Sequence, residues 1–507
     1  MSTNYISSIT ESAGDMTIVN IECHMTQGLP TVIIVGFANR AVDEAKERLR
    51  GAFAGAGIEF PKKRIAINLA PADVPKESSS FDLGIATAVM KTAKYIPEQH
   101  DFRHCMFIGE LGLNSVIRPV RGIIGKLLAA KQRGYHTFYL PQDNVKQALL
   151  VPDIRIIAFR DLAELHKHFT GIVTQPILES GDGIKPAPDT QDIETDFADI
   201  SGQTRAKRVI EIAAAGGHNV LLSGPPGTGK SMLAKALAGV LPPMNRTEIL
   251  EVTHLHSLAS DNFDKIMTRR PFRSPHHSAS EIAIIGGGQR VKPGEISLAH
   301  KGVLFLDELP EYSRMTLEAL RQPLEDKVIT IARAKQTAEY PADFMLVATS
   351  NPCPCGYYGT DNTCNCAPHV IARYQRKLSG PILDRIDLFV DVDNVKHDQL
   401  LADTTKRDPS NAVAQRITAA RKQQQDRYRN ETMTNAQLTN RLIKQTAQLE
   451  PNAQAILNKA AEQLKISARS YMRLIKVART IADIEACPTI QEKHVSEAIQ
   501  YRRPKIN

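Results

Sequence analysis

Short apolar runs alternate with amphipathic segments along the N-terminal third of the chain. The runs are typical of strands and the amphipathic segments of helices. Strand-like runs cover residues 17–23, 31–35, 64–69 and 105–109, and helix-like segments cover residues 41–54, 81–93 and 125–133. This alternation predicts a compact α/β domain over residues 1–172.

The pattern changes further along the chain. Residues 173–195 are rich in proline, glycine, serine and acidic residues and show little periodicity, which is typical of a linker. Residues 196–395 again alternate strand-like and helix-like segments, whereas residues 396–507 carry helical patterning with few strand signals. We therefore predict a second α/β domain, followed by a helical C-terminal domain.

Composition limits the possible functions only loosely. A chain of 507 residues holds about three domains, and its hydrophobic content of 42% supports real cores. The net charge of +8 permits a nucleic-acid partner, but the absence of tryptophan argues against aromatic platforms for bases. Because we find neither an N-terminal apolar signal segment nor an apolar stretch near membrane-spanning length, we expect a cytoplasmic protein without a membrane partner.

A glycine-rich segment lies between the strand-like residues 220–222 and the helix-like residues 232–241. Its sequence fits the phosphate-binding pattern G-x-x-x-x-G-K-[ST], which favours ATP with Mg²⁺ over an ordinary turn. Lys230 would reach the β- and γ-phosphates, and the Ser231 hydroxyl would hold Mg²⁺. The predicted nucleotide-binding residues are Gly224, Pro225, Pro226, Gly227, Thr228, Gly229, Lys230 and Ser231.

Two later apolar runs predict the rest of a nucleotide-hydrolysing site. The run 303–306 ends in Asp307 and Glu308, which would hold the Mg²⁺ shell and polarise the attacking water, respectively. The run 345–349 is followed by Asn351, whose side chain would orient that water. The alternative for Asn351 is a turn residue before a proline.

Four of the seven cysteines lie close together, as Cys353, Cys355, Cys364 and Cys366. Two close pairs separated by a short loop can converge on one tetrahedral ion, and zinc is the natural ion for four thiolates. The spacing within each pair is tighter than usual, so free thiols or redox chemistry remain alternatives. We predict a structural zinc.

With these motifs placed, residues 196–395 resemble the magnesium-chelatase branch of the AAA+ ATPases. The resemblance rests on residues 293–300, the acidic pair at 307–308 and residues 378–387. The whole chain resembles the bacterial ComM (YifB) family. This resemblance implies an AAA+ parallel-sheet ATPase core with a helical C-terminal lid. It also implies a homo-hexamer that uses ATP to drive DNA branch migration during natural transformation.

The same resemblance assigns two arginines to catalysis. Arg385 lies where an arginine finger for the ATP of the next subunit is expected, although a salt bridge with Asp384 or Asp387 is the alternative. Arg469 resembles the sensor-2 arginine. Arg473, one helical turn later, is the fallback, and an ordinary surface charge is the alternative for both.

Residues 328–335 form an alternating strand with a basic end. In related ring helicases a hairpin at this place points into the central channel, which implies that Arg333 and Lys335 contact DNA phosphates. Such contacts position DNA without reading its sequence, so branched or single-stranded DNA is the expected partner. Solvated charges on an exposed hairpin are the alternative.

Residues 5–165 resemble the proteolytic domain of Lon, but one part of its catalytic pair is missing. Ser80 lies at about the position of the nucleophile, whereas Ile124 occupies the position of the lysine base. Isoleucine cannot accept a proton, and Lys126, two residues later, points to another helix face. We therefore interpret this domain as a non-proteolytic scaffold or DNA-contacting domain.

Three functions compete on these grounds. A DNA-remodelling motor is favoured by the fused N-terminal domain and the cysteine pairs. A magnesium-chelatase-type ATPase, which drives metal insertion or remodels a protein partner, shares the same ATPase core. An ATP-dependent protease is disfavoured by the isoleucine in place of the lysine base.

Overall fold

The protein is described from a computed structural model, in which the described residues are 5–12, 15–36, 40–72, 79–179, 195–259, 265–288, 291–333, 336–378, 380–395 and 408–502. The chain divides into two compact units. The first unit comprises Met1–Pro188, Asn245–Thr268 and Thr330–Glu339. The second comprises Asp189–Met244, Arg269–Ile329 and Tyr340–Asn507.

The strands are, in chain order, β1 (Tyr5–Ser12), β2 (Asp15–Thr26), β3 (Thr31–Val35), β4 (Arg64–Ala70), β5 (Cys105–Phe107), β6 (Glu110–Leu111), β7 (Ile117–Arg118), β8 (Thr137–Pro141), β9 (Arg155–Phe159), β10 (Leu178–Glu179), β11 (Val220–Ser223), β12 (Phe272–Arg273), β13 (Gly286–Gly287), β14 (Lys292–Pro293), β15 (Val303–Leu306), β16 (Val328–Arg333), β17 (Gln336–Pro341), β18 (Met345–Ser350) and β19 (Leu388–Asp391).

The α-helices are α1 (Arg40–Gly55), α2 (Asp82–Thr92), α3 (Ile123–Gln132), α4 (Val145–Ala148), α5 (Leu162–Phe169), α6 (Thr204–Gly216), α7 (Lys230–Val240), α8 (Arg246–Ala259), α9 (Glu281–Ile285), α10 (Glu295–Leu298), α11 (Arg314–Ala319), α12 (Arg321–Asp326), α13 (Pro368–Lys377), α14 (Gly380–Leu383), α15 (Ser410–Tyr428), α16 (Asn440–Thr446), α17 (Pro451–Gln463), α18 (Ala468–Ile484) and α19 (Glu492–Gln500).

The first unit is built on an eight-stranded mixed sheet with the order β10-β9-β8-β5-β1-β2-β4-β3. Strand β4 illustrates why this sheet forms. Ile65, Ile67 and Leu69 alternate with more exposed residues and are completely buried, so one face of the strand packs into the core. The predicted strands at 17–23, 31–35 and 64–69 lie within β2, β3 and β4, whereas β5 ends two residues earlier than predicted.

The pattern of apolar residues did not reveal strand β1, which pairs with both β2 and β5. It is rich in hydroxyl side chains, and Ser7, Ser8 and Thr10 are nevertheless buried. The Ser8 hydroxyl donates to the Phe107 carbonyl at 2.6 Å, which satisfies a polar group inside the sheet layer. Because buried hydroxyl residues occupy several of its positions, this strand carries no apolar periodicity.

The second unit is built on a five-stranded parallel sheet with the order β12-β15-β18-β11-β19. All four residues of β15 and all six of β18 are buried, as expected for strands covered on both faces. One hydrophobic core joins this sheet to α6, α7 and the C-terminal helices, through residues such as Ile210, Leu237 and Ile481. The structure therefore confirms the predicted parallel-sheet α/β core with a helical C-terminal region.

A buried polar network joins the helical region to the ATPase core. His218, completely buried just after α6, shares hydrogen bonds with Asp387 at 3.2 Å and with the Thr480 hydroxyl at 2.8 Å. Asp483, on the same helix α18, accepts from Arg427 and Arg479. These charges are paired and hydrogen-bonded, so their burial does not leave an isolated charge.

The predicted domain boundaries remain predictions. Most of the predicted linker, and the start of the predicted C-terminal domain, lie outside the described residues. Two segments inside the predicted ATPase range, Asn245–Thr268 and Thr330–Glu339, belong to the first unit. Within the described ranges, no helix has both the length and the apolar character of a membrane span.

Candidate active site

The phosphate-binding loop, residues 224–231, lies between a buried strand and a helix. Strand β11 lies between β18 and β19 in the parallel sheet, and α7 begins at Lys230 directly after the loop glycines. The helix therefore starts two residues earlier than the sequence pattern predicts. Its N-terminal backbone N–H groups and its dipole face the loop, and this arrangement suits an anionic phosphate.

The Lys230 ammonium group is held inside this loop. It donates to the Gly224 carbonyl at 2.8 Å, to the Pro225 carbonyl at 2.7 Å and to the Asn351 side-chain oxygen at 3.2 Å. Burial lowers the pKa of Lys230, and the nearby carboxylates of Asp307 and Glu308 partly oppose this effect. A cation held by neutral carbonyls beside a helix N-terminus is well placed to bind phosphate oxygens.

Asp307 follows β15 and faces the first turn of α7. Its carboxylate accepts a hydrogen bond from the Ser231 hydroxyl at 3.4 Å and one from the Thr349 hydroxyl at 2.5 Å. Oxygen ligands of this kind are what Mg²⁺ prefers, and it usually takes one or two from protein and the rest from phosphates and water. The convergence of Ser231 and Asp307 therefore fits the predicted Mg²⁺ position.

Glu308 and Asn351 form the second part of the site. The Asn351 side-chain nitrogen donates to the Glu308 carboxylate at 3.3 Å, while its oxygen accepts from Lys230. Glu308 has a φ of 52°, which is uncommon for a residue other than glycine, and its N–H donates to the Thr349 hydroxyl at 2.8 Å. The structure thus brings Lys230 and the acidic pair together around Asn351.

Thr349 was missed by the sequence analysis, although it contacts both acidic residues. It is completely buried in β18, its hydroxyl donates to Asp307, and it accepts from the Glu308 N–H. Thr349 and Asn351 are two residues apart, so they point to the same face of the strand. This two-residue spacing could have indicated that Thr349 lies beside the site. A threonine in an apolar strand is usually a packing residue, however, so the spacing alone does not predict a role.

The two predicted arginines share one carboxylate. Arg385 and Arg469 lie 2.6 and 2.9 Å from the same oxygen of Glu325, which belongs to α12. The hydrogen bonds from Arg385 and then from Arg469 lower the pKa of Glu325. Salt bridging was the alternative considered for Arg385, but its ion-pair partner here is Glu325 rather than either neighbouring aspartate.

The surroundings of these arginines differ. The Arg385 side chain is 11% exposed and also donates to the Pro381 carbonyl, and its Nε atom is buried with no hydrogen-bond partner among the described residues. Arg469 is half exposed. Arg473, the fallback for sensor 2, instead donates to the Ile386 carbonyl at 2.5 Å and to Ser470 at 3.1 Å.

The predicted hairpin is present as the two-stranded ribbon of β16 and β17. Arg333 is the last residue of β16, and its side chain is not described. Lys335 lies outside the described residues. The ribbon begins at Val328, three residues after Glu325, so the shared carboxylate and the hairpin belong to one continuous segment.

The segment 353–366, which we call the cysteine loop, gathers its four sulfur atoms in one cluster. The sulfur atom of Cys353 lies 3.3 Å from that of Cys355 and 3.8 Å from that of Cys364, and the Cys355 and Cys364 sulfurs are 3.6 Å apart. The Cys366 sulfur is within 4.8 Å of the others. Four sulfurs bound tetrahedrally to zinc lie about 3.8 Å from one another, whereas a disulfide needs about 2 Å. The cluster therefore has the spacing of a tetrahedral metal site.

Each of these sulfurs also accepts a backbone hydrogen bond. The donors are the N–H groups of Tyr358 to Cys353, Tyr357 to Cys355, Cys366 to Cys364 and Cys355 to Cys366. The hydrogen bond from Tyr357, followed by that from Cys353, lowers the pKa of Cys355 to about 6. For Cys364 and Cys366 the backbone hydrogen bond is outweighed by burial and by the neighbouring sulfurs, which raise both pKa values. Backbone donors around sulfur stabilise thiolates, which are the form that binds metal.

In the first unit, the Lon-like positions do not form an activated nucleophile. Ser80 is 1% exposed and its hydroxyl donates to the Ile9 carbonyl at 2.9 Å. Ile124 is completely buried in α3 and carries no titratable group. The Lys126 ammonium group donates to the Arg121 carbonyl at 2.8 Å.

The parallel sheet, the phosphate-binding loop, the acidic pair and the helical C-terminal region define a AAA+ ATPase. Three family models match the chain: "Magnesium chelatase, subunit ChlI" over residues 196–400, "Subunit ChlI of Mg-chelatase" over residues 21–144, and "Magnesium chelatase, subunit ChlI C-terminal" over residues 407–502. The N-terminal unit, the ATPase core and the C-terminal helices are therefore all matched by magnesium-chelatase families.

Several relatives match nearly the whole chain. Competence protein ComM of Haemophilus influenzae is 40% identical over 493 residues, which cover 96% of this chain and 94% of that protein. Protein YifB of Salmonella typhimurium is 40% identical over 490 residues, with the same coverage. The chain belongs to the ComM/YifB family of magnesium-chelatase-like ATPases.

A third relative is similar only in part. The magnesium-chelatase 67 kDa subunit of Chlorobaculum parvum is 30% identical over 169 residues, which cover 31% of this chain and 23% of that protein. This similarity covers less than a third of either chain and does not extend to the whole-chain architecture.

We predict that Glu308→Gln keeps ATP bound but lowers the hydrolysis rate by about a hundredfold or more, because the amide keeps the shape of the side chain but cannot accept a proton. Lys230→Ala should instead weaken nucleotide binding by about tenfold or more, because charge-assisted contacts to phosphate are lost. Steady-state ATPase and nucleotide-binding titrations measure both effects. Glu311→Gln, which removes a nearby exposed carboxylate paired with Lys377, is the matched control. Normal turnover in Glu308→Gln would remove Glu308 from the role of base.

Proposed function

We propose that the chain is an ATP-driven DNA motor that works as a homo-hexamer and promotes branch migration of recombination intermediates during natural transformation. One observation carries this proposal: Glu325 holds the predicted finger Arg385 and lies three residues before the hairpin β16–β17. A change at the γ-phosphate that draws on Arg385 would release Glu325, which precedes the hairpin in the same continuous segment of chain. The name of the Haemophilus relative, a competence protein, supports the same function.

In this proposal, each of the residues already described has a separate role in ATP hydrolysis. Lys230 and the N-terminus of α7 bind the phosphates, and Ser231 with Asp307 would hold Mg²⁺, which neutralises charge on the phosphate oxygens when bound. Glu308 accepts a proton from the attacking water, and Asn351 keeps the water and the carboxylate aligned. Arg385 of a neighbouring subunit stabilises charge on the γ-phosphate, with Arg469 as the sensor-2 arginine.

The hairpin supplies the DNA contact in this proposal. Arg333 and Lys335 bind backbone phosphates, so branched or single-stranded DNA is bound without sequence preference. Binding of this kind releases counterions and weakens steeply as the salt concentration rises. A cytoplasmic location remains an expectation from the sequence.

A magnesium-chelatase-type ATPase, which drives metal insertion or remodels a protein partner, is the second candidate. It is favoured by the family models that match all three regions. The partial coverage of the Chlorobaculum chelatase subunit disfavours it. The buried Ser80 hydroxyl, which is bonded to a backbone carbonyl, does not support a protease.

We also propose that the cysteine loop binds one structural zinc ion. The support is the tetrahedral spacing of the four sulfurs together with a backbone N–H donor to each of them. Two features of the cluster are typical of bound thiolates rather than of oxidised cysteines: the sulfurs are too far apart for disulfides, and their donors are backbone groups.

We predict that the double change Arg333→Ala, Lys335→Ala abolishes most DNA stimulation of the ATPase and reduces the salt slope of DNA binding by about one per lost phosphate contact. Basal ATPase and assembly should remain, because neither residue is among those proposed to bind ATP or to hydrolyse it. ATPase rates with and without a four-way junction measure this. The control is Arg441→Ala, Lys444→Ala, which removes the same charges from exposed positions on α16. Equal stimulation by DNA in both variants would show that the hairpin is not needed for DNA stimulation. An unmutated protein whose ATPase rate does not respond to DNA would support the chelatase alternative.

We predict that mixing Arg385→Ala subunits with Lys230→Ala subunits restores part of the ATPase activity. Some interfaces in a mixed ring would join an intact loop to an intact finger. The control is a mixture of Arg385→Ala subunits with subunits that carry both Lys230→Ala and Arg385→Ala, because it contains intact loops but no intact fingers. Activity that only equals the sum of the separate variants contradicts a shared site.

We predict one zinc per chain in protein purified without metal-affinity resin, as measured by elemental analysis. Cys366→Ser should lose most of the zinc, whereas Cys23→Ser, in strand β2 and outside the cluster, should retain it. A ratio near zero in freshly reduced protein refutes the zinc proposal.

A further inference from the structure

We propose that the cysteine loop is a positioning element of the ATPase site, so that metal binding there sets the rate of ATP hydrolysis. The inference rests on the proposed ATPase activity and on the proposed zinc. It assigns to Gly356, which is neither a metal ligand nor a phosphate-binding residue, the role of holding the phosphate-binding loop in place.

The first connection between the two sites runs along the backbone. Cys353 is completely buried and lies two residues after Asn351, the side chain that joins Lys230 to Glu308. The carbonyl of the intervening Pro352 accepts a hydrogen bond from the Gln375 side chain at 3.2 Å. A sulfur held by metal would therefore restrict Asn351 to the orientation that its two partners require.

The second connection is a direct contact with the phosphate-binding loop. Gly356 has a φ of +85°, and a Cβ built on it would lie 2.5 Å from Cδ and 3.1 Å from Cγ of Pro226. The backbone of the cysteine loop thus touches the ring of Pro226. Because Gly224 and Pro225 supply the carbonyls that hold Lys230, a shift of Pro226 moves those acceptors as well.

The two connections meet at the metal ligands. The N–H groups of Tyr357 and Tyr358, which directly follow Gly356, donate to the sulfurs of Cys355 and Cys353. The positions of the sulfurs and of Gly356 are therefore set together. Loss of the metal removes the attraction that holds the thiolates in one cluster, and both Gly356 and Asn351 lose their support.

The chain offers a matched pair of variants for the test. Gly356 and Gly359 both lie in the cysteine loop with positive φ, +85° and +76°, so alanine strains the backbone similarly at both. They differ in their neighbours: the Cβ at Gly359 meets no atom of the described chain within 4 Å, whereas that at Gly356 overlaps Pro226. We expect Gly356→Ala to lower kcat/KM for ATP by about tenfold while zinc remains at one per chain, and Gly359→Ala to stay within about twofold of the unmutated protein.

A second substitution separates positioning from general damage. Pro226→Ala removes the Cγ and Cδ atoms that the new methyl group would overlap, so Gly356→Ala should lower kcat/KM much less in the Pro226→Ala background than in the unmutated protein, whatever Pro226→Ala itself does to ATP binding. Additive losses in the double variant, or equal rates in Gly356→Ala and Gly359→Ala, would overturn the inference. ATPase activity absent from the unmutated protein would instead refute the proposed function.

The metal arm of the test uses the full chain. Cys366→Ser and chelator-treated protein should show a kcat for ATP hydrolysis that falls in proportion to zinc content, and added zinc should restore it only in the chelator-treated protein. Full turnover by folded zinc-free protein contradicts the inference. If Cys366→Ser fails to fold, the Gly356 and Pro226 variants still decide the question.

Discussion

The active site depends on three parallel strands that end at the same edge of one sheet. Strand β18 lies between β11 and β15, with Ser223 paired to Ser350 and Leu306 paired to Ala348. This register places the phosphate-binding loop on one side of Asn351 and the acidic pair on the other. A slip of one residue in β18 would turn Thr349 and Asn351 to the opposite face, and Lys230 would lose an acceptor. The hydrolytic geometry is therefore a consequence of strand pairing.

Both arginines that the sequence assigns to catalysis are paired with a carboxylate within this chain. Arg385 and Arg469 share one oxygen of Glu325, and neither guanidinium is isolated. Solvent screens the pair of Arg469 with Glu325, whose side chains are 51% and 45% exposed, more than the pair that involves Arg385, whose side chain is 11% exposed. In the proposed function, Arg385 would exchange this carboxylate for a phosphate of ATP.

Much of the candidate site was predictable because short motifs carry their chemistry in local sequence. Lys230, Ser231 and the acidic pair follow apolar strands, and the structure places them together as the parallel sheet requires. Thr349 was not predicted, because a single hydroxyl in a buried strand resembles packing. Glu325 was not predicted either, because an acidic residue on a short helix is common. Its importance arises from Arg469, which lies 144 residues away in the chain.

The amino-acid sequence by itself determined the phosphate-binding loop, the class of ATPase, the four cysteines and the alternation that builds both α/β units, because each depends on residues near one another in the chain. Tertiary structure decided the rest. In the folded chain, the hydroxyl-rich strand β1 is buried inside a sheet, Asn245–Thr268 belongs to the first unit, and Gly356 contacts Pro226. These outcomes depend on contacts between distant segments, and local patterns carry no information about which distant atoms will meet.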